Sequence, residues 1–595
     1  MAHHQGMTVV SIANALQDGR MRARFHAEPI VRAAELLLQE RMPRDVAVAR
    51  ASSEQAGAAA QNASLVPDAE RHFGSAHSRL PRTHLLSNGR YSTMVTAAGS
   101  GYSRWHDVAI TRWREDVTCD GWGAYIFLRD VRGGETWSAG YQPSTVEPDS
   151  YGVTFSEDRI EIVRRDATVT TTLEIMVSPE DDAEVRRVSI TNRGTQTREI
   201  ELTSYAEIAL ARQPDDVAHP AFEALFVETE FVFHLGAILA TRRRRSPSDP
   251  LVWAAHLAVV EGESSGDVQF ETDRARFLGR GQTIRSPAAI AEGWPLSNTV
   301  GPVLDPIFSL RRHVRIPRGA TARVAFWTLA AASREEVLDL ADKHHDPMAF
   351  ERAKMLAWTR AQMQLHHLGI DSDDAHLFQR LANHVLYSDP ALRAPADVLK
   401  RGAGTVSTLW AQGISGDLPI VLVLIEEDAD LGLIRQLLRA HEFWRSKQLA
   451  VDLVILNQRA ASYVQELQAS LDALVRMNRS MPQIPSGDPR GAVFVLRADL
   501  VSPEIRGLLH ACARAVLHGN RGSLADQLKR AHDLKPVSAP PARRTPSADA
   551  PETPLPRPEM EFFNGLGGFT NGGREYLTIL EGNARTPAPW VNIVA

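Results

Sequence analysis

The chain has 595 residues, 44% of them hydrophobic and 23% charged, with a net charge of −6 at pH 7. Such a length accommodates roughly three or four globular domains, and the mildly acidic balance gives no electrostatic reason for nucleic acid or an anionic membrane as partner. Two distant cysteines, Cys119 and Cys512, exclude a disulfide framework or zinc knuckle and fit a reducing compartment, while the longest apolar run, "LPIVLVLI", is far below the ~20 residues of a spanning helix.

In chain order, "VVSIANAL" and "IVRAAELLLQERM" repeat apolar residues at helical spacing, with Pro29 and Pro43 as boundaries, so residues 1–45 read as helical. Residues 46–82 are rich in Ala, Ser and Gln and read as a linker. From 83 to 332 the period becomes two. "RIEIVRR", "TTTLEIMVSP", "EVRRVSITNRG", "REIELTSYAEIAL" and "TARVAFWTLAA" predict a large antiparallel β-sandwich of well over a dozen strands, without intervening helices.

Residues 333–404 return to helix as a connector, in which Ser372 is the expected cap and Leu377, Phe378, Leu381 and Val385 the buried stripe. Residues 405–535 alternate apolar strands with amphipathic helices, the last helix running through "SPEIRGLLHACARAVLHG", and predict a small parallel α/β module. A Pro/Ala-rich linker (536–559) then leads to a short strand-rich tail (560–595).

The stretch from Leu85 to Asp130 gathers Trp105, Trp113, Trp122 and three tyrosines with Arg112, Arg114 and several carboxylates. Aromatic faces beside guanidinium and carboxylate groups suit a sugar; equally, the tryptophans can be core residues and the charges the wet face. Other candidates are weaker. His3 and His4 point to different sides of a helix and lack a third ligand, and His366 and His367 suit a helix C-terminus. Gly413 and Gly416 precede their strand and the following "EEDADLG" repels phosphate. The run Arg242 to Arg245 reads as a solvated loop or an anion contact. No GxSxG elbow occurs, and no metal or cofactor is implied.

The segment "SNGRYSTMVTAAGSGYSRWHDVAITRWREDVTCDGWGAYIFLRD" resembles the N-terminal sandwich of glycoside hydrolase family 94, formerly glycosyltransferase family 36, and in particular cyclic β-1,2-glucan synthases. The likeness continues through "SPEDDAEVRRVSITN", "PLSNTVGPVLDPIFSLRR", "LWAQGISGDLPIVLVLI" and "VDLVILN". The first 45 residues are similar to the end of a glycoamylase-like (α/α)6 domain, and the tail "FFNGLGGFTNGGREYLTIL" to the opening of a second sandwich.

This resemblance implies an internal fragment of a membrane-anchored synthase, lying on the cytoplasmic side of the bacterial inner membrane without inserting itself. Its expected role is carbohydrate binding or structural support of glucosyl transfer and chain-length control, without turnover of its own. The expected partners are β-1,2-glucan or a related glucan and the remaining domains of the parent enzyme. The alternatives are a stand-alone glucan-binding or scaffolding module and, less favoured, an active family 94 phosphorylase. Trp105, Arg112, Trp113 and Trp122 are the expected sugar contacts.

Overall fold

A computed structural model describes residues 2–28, 70–247, 249–264, 266–401, 404–459, 466–480, 491–533, 557–581 and 586. They fall into two units, Met1–His532 and Asp533–Ala595. Most of both expected linkers, the second half of the N-terminal helical segment and the final "PAPWVNIVA" lie outside the described residues.

Alternation dictates the first unit's main body. Ten antiparallel strands form one sheet in the order Arg71–Phe73, Ser150–Phe155, Ile160–Asp166, Val169–Val177, Ala183–Asn192, Thr321–Ala331, Trp253–Glu261, Ala237–Arg242, Val227–Val232 and Gly301–Pro302. A second sheet of nine runs Gln269–Asp273, Pro306–Ile316, Arg198–Arg212, Val108–Thr111, Gly101–Trp105, Tyr91–Thr96 and Thr83–Ser87, with Tyr125–Asp130 also on Arg198–Arg212 and Thr136–Ser138 beside it. Inward residues of both sheets, such as Ile162, Val188 and Phe326 against Leu128, Leu202 and Leu310, make one core. Strand Arg71–Phe73 lies inside the stretch read as linker; pairing with Ser150–Phe155 makes it the edge of the first sheet.

The sandwich is not free of helices. Short ones at Gln213–Ala218, Pro220–Ala224, Arg274–Leu278 and Ala288–Ala291 interrupt it. They are too short to leave a 3.6-residue signature.

Three helices, Arg334–His344, Ala349–Leu368 and Ser372–Leu386, form the connector. Val337, Ala341, Phe350 and Ala353 cover the outer face of the first sheet over Trp327 and Leu329. The third helix buries Leu377, Phe378, Leu381 and Val385 against Leu85 and Met94 of the second sheet. Its cap is Asp371 and not Ser372: the Asp371 carboxylate accepts from the Asp374 N–H at 2.8 Å, adding a negative charge to the positive helix end. The edge strand Thr83–Ser87 is closed by amides one turn apart: Gln379 exchanges two 3.0 Å hydrogen bonds with the Leu85 backbone, and Asn383 accepts from Thr83 N at 2.8 Å.

The third layer is a parallel four-stranded sheet in the order Val493–Arg497, Asp452–Asn457, Ile420–Ile425, Ala513–His518. Val421, Val423, Leu453, Ile455, Ala515 and Leu517 face the connector, and Leu422, Leu424, Val454, Leu456 and Val516 face Leu508 and Leu509 on the other side. The predicted last helix is therefore corrected: it ends at Cys512, and "ARAVLH" becomes a strand pairing with Ile420–Ile425. Ladder hydrogen bonds and burial on both faces override the helical propensity of its alanines.

Ahead of the sandwich, helices Ala2–Leu16 and Arg20–Ala27 are joined by Asn14, whose side-chain oxygen accepts from Met21 N and Arg22 N. No described helix is long and apolar enough to cross a membrane. The second unit holds a hairpin, Gly567–Thr570 with Glu575–Thr578, in which Phe569 meets Tyr576 edge to face.

Candidate functional site

The tight seating of strand Gly101–Trp105 fixes the predicted aromatic segment. Gly101 has φ +151° and a Cβ there would stand 1.8 Å from the Met94 carbonyl oxygen, so only glycine lets the two strands approach this closely. Trp105 at the strand's end is half-buried against the sandwich core, and its indole N–H donates to Asp182 Oδ2 at 2.8 Å. Arg90 Nε holds the other Asp182 oxygen at 2.7 Å.

Beyond strand Val108–Thr111, successive side chains diverge. Arg112 and Arg114 go one way; Trp113 and Glu115 go the other. Arg112 is buried and donates through Nε to Asp216 at 3.1 Å and through Nη1 to Glu207 at 3.1 Å and Asp305 at 3.2 Å. Arg114 also pairs with Asp216, at 2.6 Å. Arg274 bridges Glu207 at 2.8 Å and Asp305 at 3.3 Å, and the Tyr205 hydroxyl donates to Glu207 at 2.9 Å.

Three guanidinium groups thus meet three carboxylates. Burial alone would lower the Arg112 pKa, but Asp216, Glu207 and Asp305 outweigh it and hold it above its ordinary value. Asp305 is raised by burial and by the like charge of Glu207, with Arg112 and Arg274 opposing. The cluster is closed on itself and locks the short helix Gln213–Ala218 to the sheet.

On the opposite side Trp113, 7% exposed, sits edge-on to Tyr102 and Tyr387 at 5.5 and 5.8 Å. It belongs to the core that joins the sandwich to the connector and the parallel sheet. Glu115 takes both terminal nitrogens of Arg514, at 2.6 and 2.8 Å, and the Ser388 N–H at 2.9 Å. Trp122 packs against the same core with the Arg114 guanidinium 5.8 Å from its ring. Between them Asp120 accepts from Thr96 Oγ1 at 2.7 Å and from the Tyr387 hydroxyl at 3.3 Å, and burial pushes its carboxyl up to about 6.

The four predicted residues therefore do not converge on one surface. Arg112 and Trp113 face opposite interiors, and Trp105 and Trp122 keep partly exposed rings. Sequence reasoning missed Glu207, Asp216, Arg274, Asp305 and Asp120. A lone Glu207 inside the apolar "YAEIALA" was the readable signal, since a charge in a buried strand implies a partner. Of the arginine run, Arg243 to Arg245 lie in an exposed loop as expected, Arg243 pairing with Glu228 at 2.9 Å, whereas Arg242 ends a strand and is buried against Glu223. Among the described residues no cluster of His, Cys, Asp or Glu is arranged to hold a metal ion.

With this geometry in view, the class of fold can be stated: residues 69–347 match the glycosyl hydrolase 94 supersandwich domain. Along its whole length the chain is similar to the cyclic beta-(1,2)-glucan synthase NdvB of Rhizobium meliloti (strain 1021), at 41% identity over 605 residues, spanning 100% of this chain and 21% of that protein. It is also 26% identical over 222 residues to the N,N'-diacetylchitobiose phosphorylase of Vibrio furnissii, covering 36% of this chain and 26% of that one. The solabiose phosphorylase of Paenibacillus borealis is 24% identical over 241 residues, 40% and 30% of the two chains. The chain thus spans about a fifth to a third of the length of these relatives.

Proposed function

We propose that this chain is the glucan-holding part of a cyclic β-1,2-glucan synthase, binding β-1,2-glucan and positioning the other domains of the parent enzyme during glucosyl transfer and chain-length control. The observation that carries this reading is the 41% identity to the glucan synthase through sandwich, connector and parallel sheet alike. The hub at residues 112–115 supports it further, because its charged groups tie these three layers together and are not presented as a free acid and base.

In this reading the chain alone turns over no glucan and works on the cytoplasmic face of the inner membrane. Of the four expected contacts, Trp105 and Trp122 have ring surface left for a sugar. Arg112 and Trp113 act from behind by holding the segment that carries Trp122. A panel of immobilised oligosaccharides tests the proposal: β-1,2-linked glucans should be retained over β-1,3- and β-1,4-linked ones. Equal retention of all three, or of none, would remove the glucan from it.

A further inference from the structure

The second sheet's outer face carries a feature that the four expected contacts leave out. Segment 274–297 covers that face and forms a small core of its own, with Phe277, Ile290 and Leu296 over Tyr125, Phe127 and Tyr205. Between the anchors Ile290 and Leu296 stands Trp294, 63% exposed. Among the described residues its indole N–H has no hydrogen-bond partner, in contrast to that of Trp105.

The backbone beneath it is held firmly. Arg311, fully buried, donates to the Trp294 carbonyl at 2.7 Å, to the Ala289 carbonyl at 2.7 Å and to Thr203 Oγ1 at 2.9 Å. Burial lowers the Arg311 pKa, with Glu201 opposing. Gly293, at φ +65°, lies directly against the Arg129 guanidinium: a Cβ there would be 2.3–2.5 Å from its Cζ and Nη atoms. Arg129 in turn pairs with Glu201 at 3.2 Å. An indole is thus displayed on a backbone pinned from beneath by Arg311, next to the glycine that packs on Arg129. A flat apolar ring takes the C–H face of a pyranose, and a fixed platform avoids the entropy of ordering a loose one.

We propose that Trp294, backed by Arg129, is a stacking platform for a glucose unit of the glucan, separate from the Trp105 and Trp122 region. This rests on the glucan-binding reading above and adds where one sugar sits. The test is calorimetric titration of the full chain with a linear β-1,2-glucan fraction, together with tryptophan fluorescence, for wild type, Trp294→Ala, Trp294→Phe and the exposed control Trp410→Ala. Trp294→Ala should weaken binding about tenfold or more, Trp294→Phe should recover most of it, and Trp410→Ala should match wild type. Thermal unfolding should be the same for all four, since the substituted rings are exposed. If wild type binds and Trp294→Ala binds equally well, the platform is refuted while glucan binding stands. Absence of wild-type binding overturns both.

Discussion

Replacing Arg112 by Met tests the hub most sharply. The substitution keeps the aliphatic volume and deletes one of three cations facing Glu207, Asp216 and Asp305, leaving one carboxylate uncompensated beside Arg114 and Arg274. Breaking a buried ion pair from one side costs about 3–5 kcal/mol, and the lower end applies here because Asp305 and Arg274 are each about one-third exposed (33% and 36%). Urea unfolding at pH 8 should therefore show a loss of about 3 kcal/mol for the sandwich transition. The orphaned carboxyl has its folded pKa raised above the unfolded value, so the penalty is complete above the folded pKa and shrinks as pH falls toward the unfolded value near 4. At pH 5 the difference from wild type should be visibly smaller. Arg112→Lys keeps the charge but cannot span Asp216 through Nε and the other two through Nη1, so it should recover only part of the loss. A loss under about 1 kcal/mol for Arg112→Met at pH 8, the size of a surface pair, would refute the hub and return Arg112 to the residues free to meet a ligand.

Further outcomes follow from other parts of the molecule. Trp113→Ala empties the space between Tyr102 and Tyr387 and should cost about 3–5 kcal/mol in chemical denaturation. Asp181 is held at about 2, first by the hydrogen bond from His344 and then by Lys343, so its stabilisation is present above about pH 4 and lost as pH falls toward 2. Asp181→Asn should therefore cost about 2 kcal/mol at pH 7 and close to nothing near pH 2, read by thermal unfolding across pH. Asp120 has the opposite sign: its folded pKa of about 6 exceeds the unfolded value, so protonated Asp120 favours the fold and stability falls as pH rises from about 4 to 6. Asp120→Asn should flatten that slope. Incubation of the chain with β-1,2-glucan and phosphate should release no glucose 1-phosphate; steady release would overturn the proposal that the chain alone has no turnover.

Much of this fold was legible because the sandwich strands begin with clean alternation: "TTTLEIMVSP" and "TARVAFWTLAA" became Val169–Val177 and Thr321–Ala331, with Leu173, Ile175, Val324 and Phe326 inside the sandwich and Met176, Trp327 and Leu329 on the outer face under the connector. The strand Ala513–His518 was not legible, since "ARAVLH" favours a helix until a neighbouring strand offers ladder bonds. For the site, local sequence named the segment but not the directions. Arg112 and Trp113 are adjacent in the chain and, by the two-residue period, go to opposite interiors. Their partners at Glu207, Asp216, Asp305 and Tyr387 lie about 95 to 275 positions away, and no local pattern announces such contacts. Trp294 sits in a loop without periodicity, and its exposure depends on the buried Arg311 beneath it.

Whether the chain holds β-1,2-glucan is read by titrating the intact chain calorimetrically with linear β-1,2-glucan, using a β-1,4-linked oligosaccharide of equal length as reference. Saturable micromolar binding of the β-1,2-linked chain, and none of the reference, is expected. No heat with either, or the same affinity for both, would contradict it.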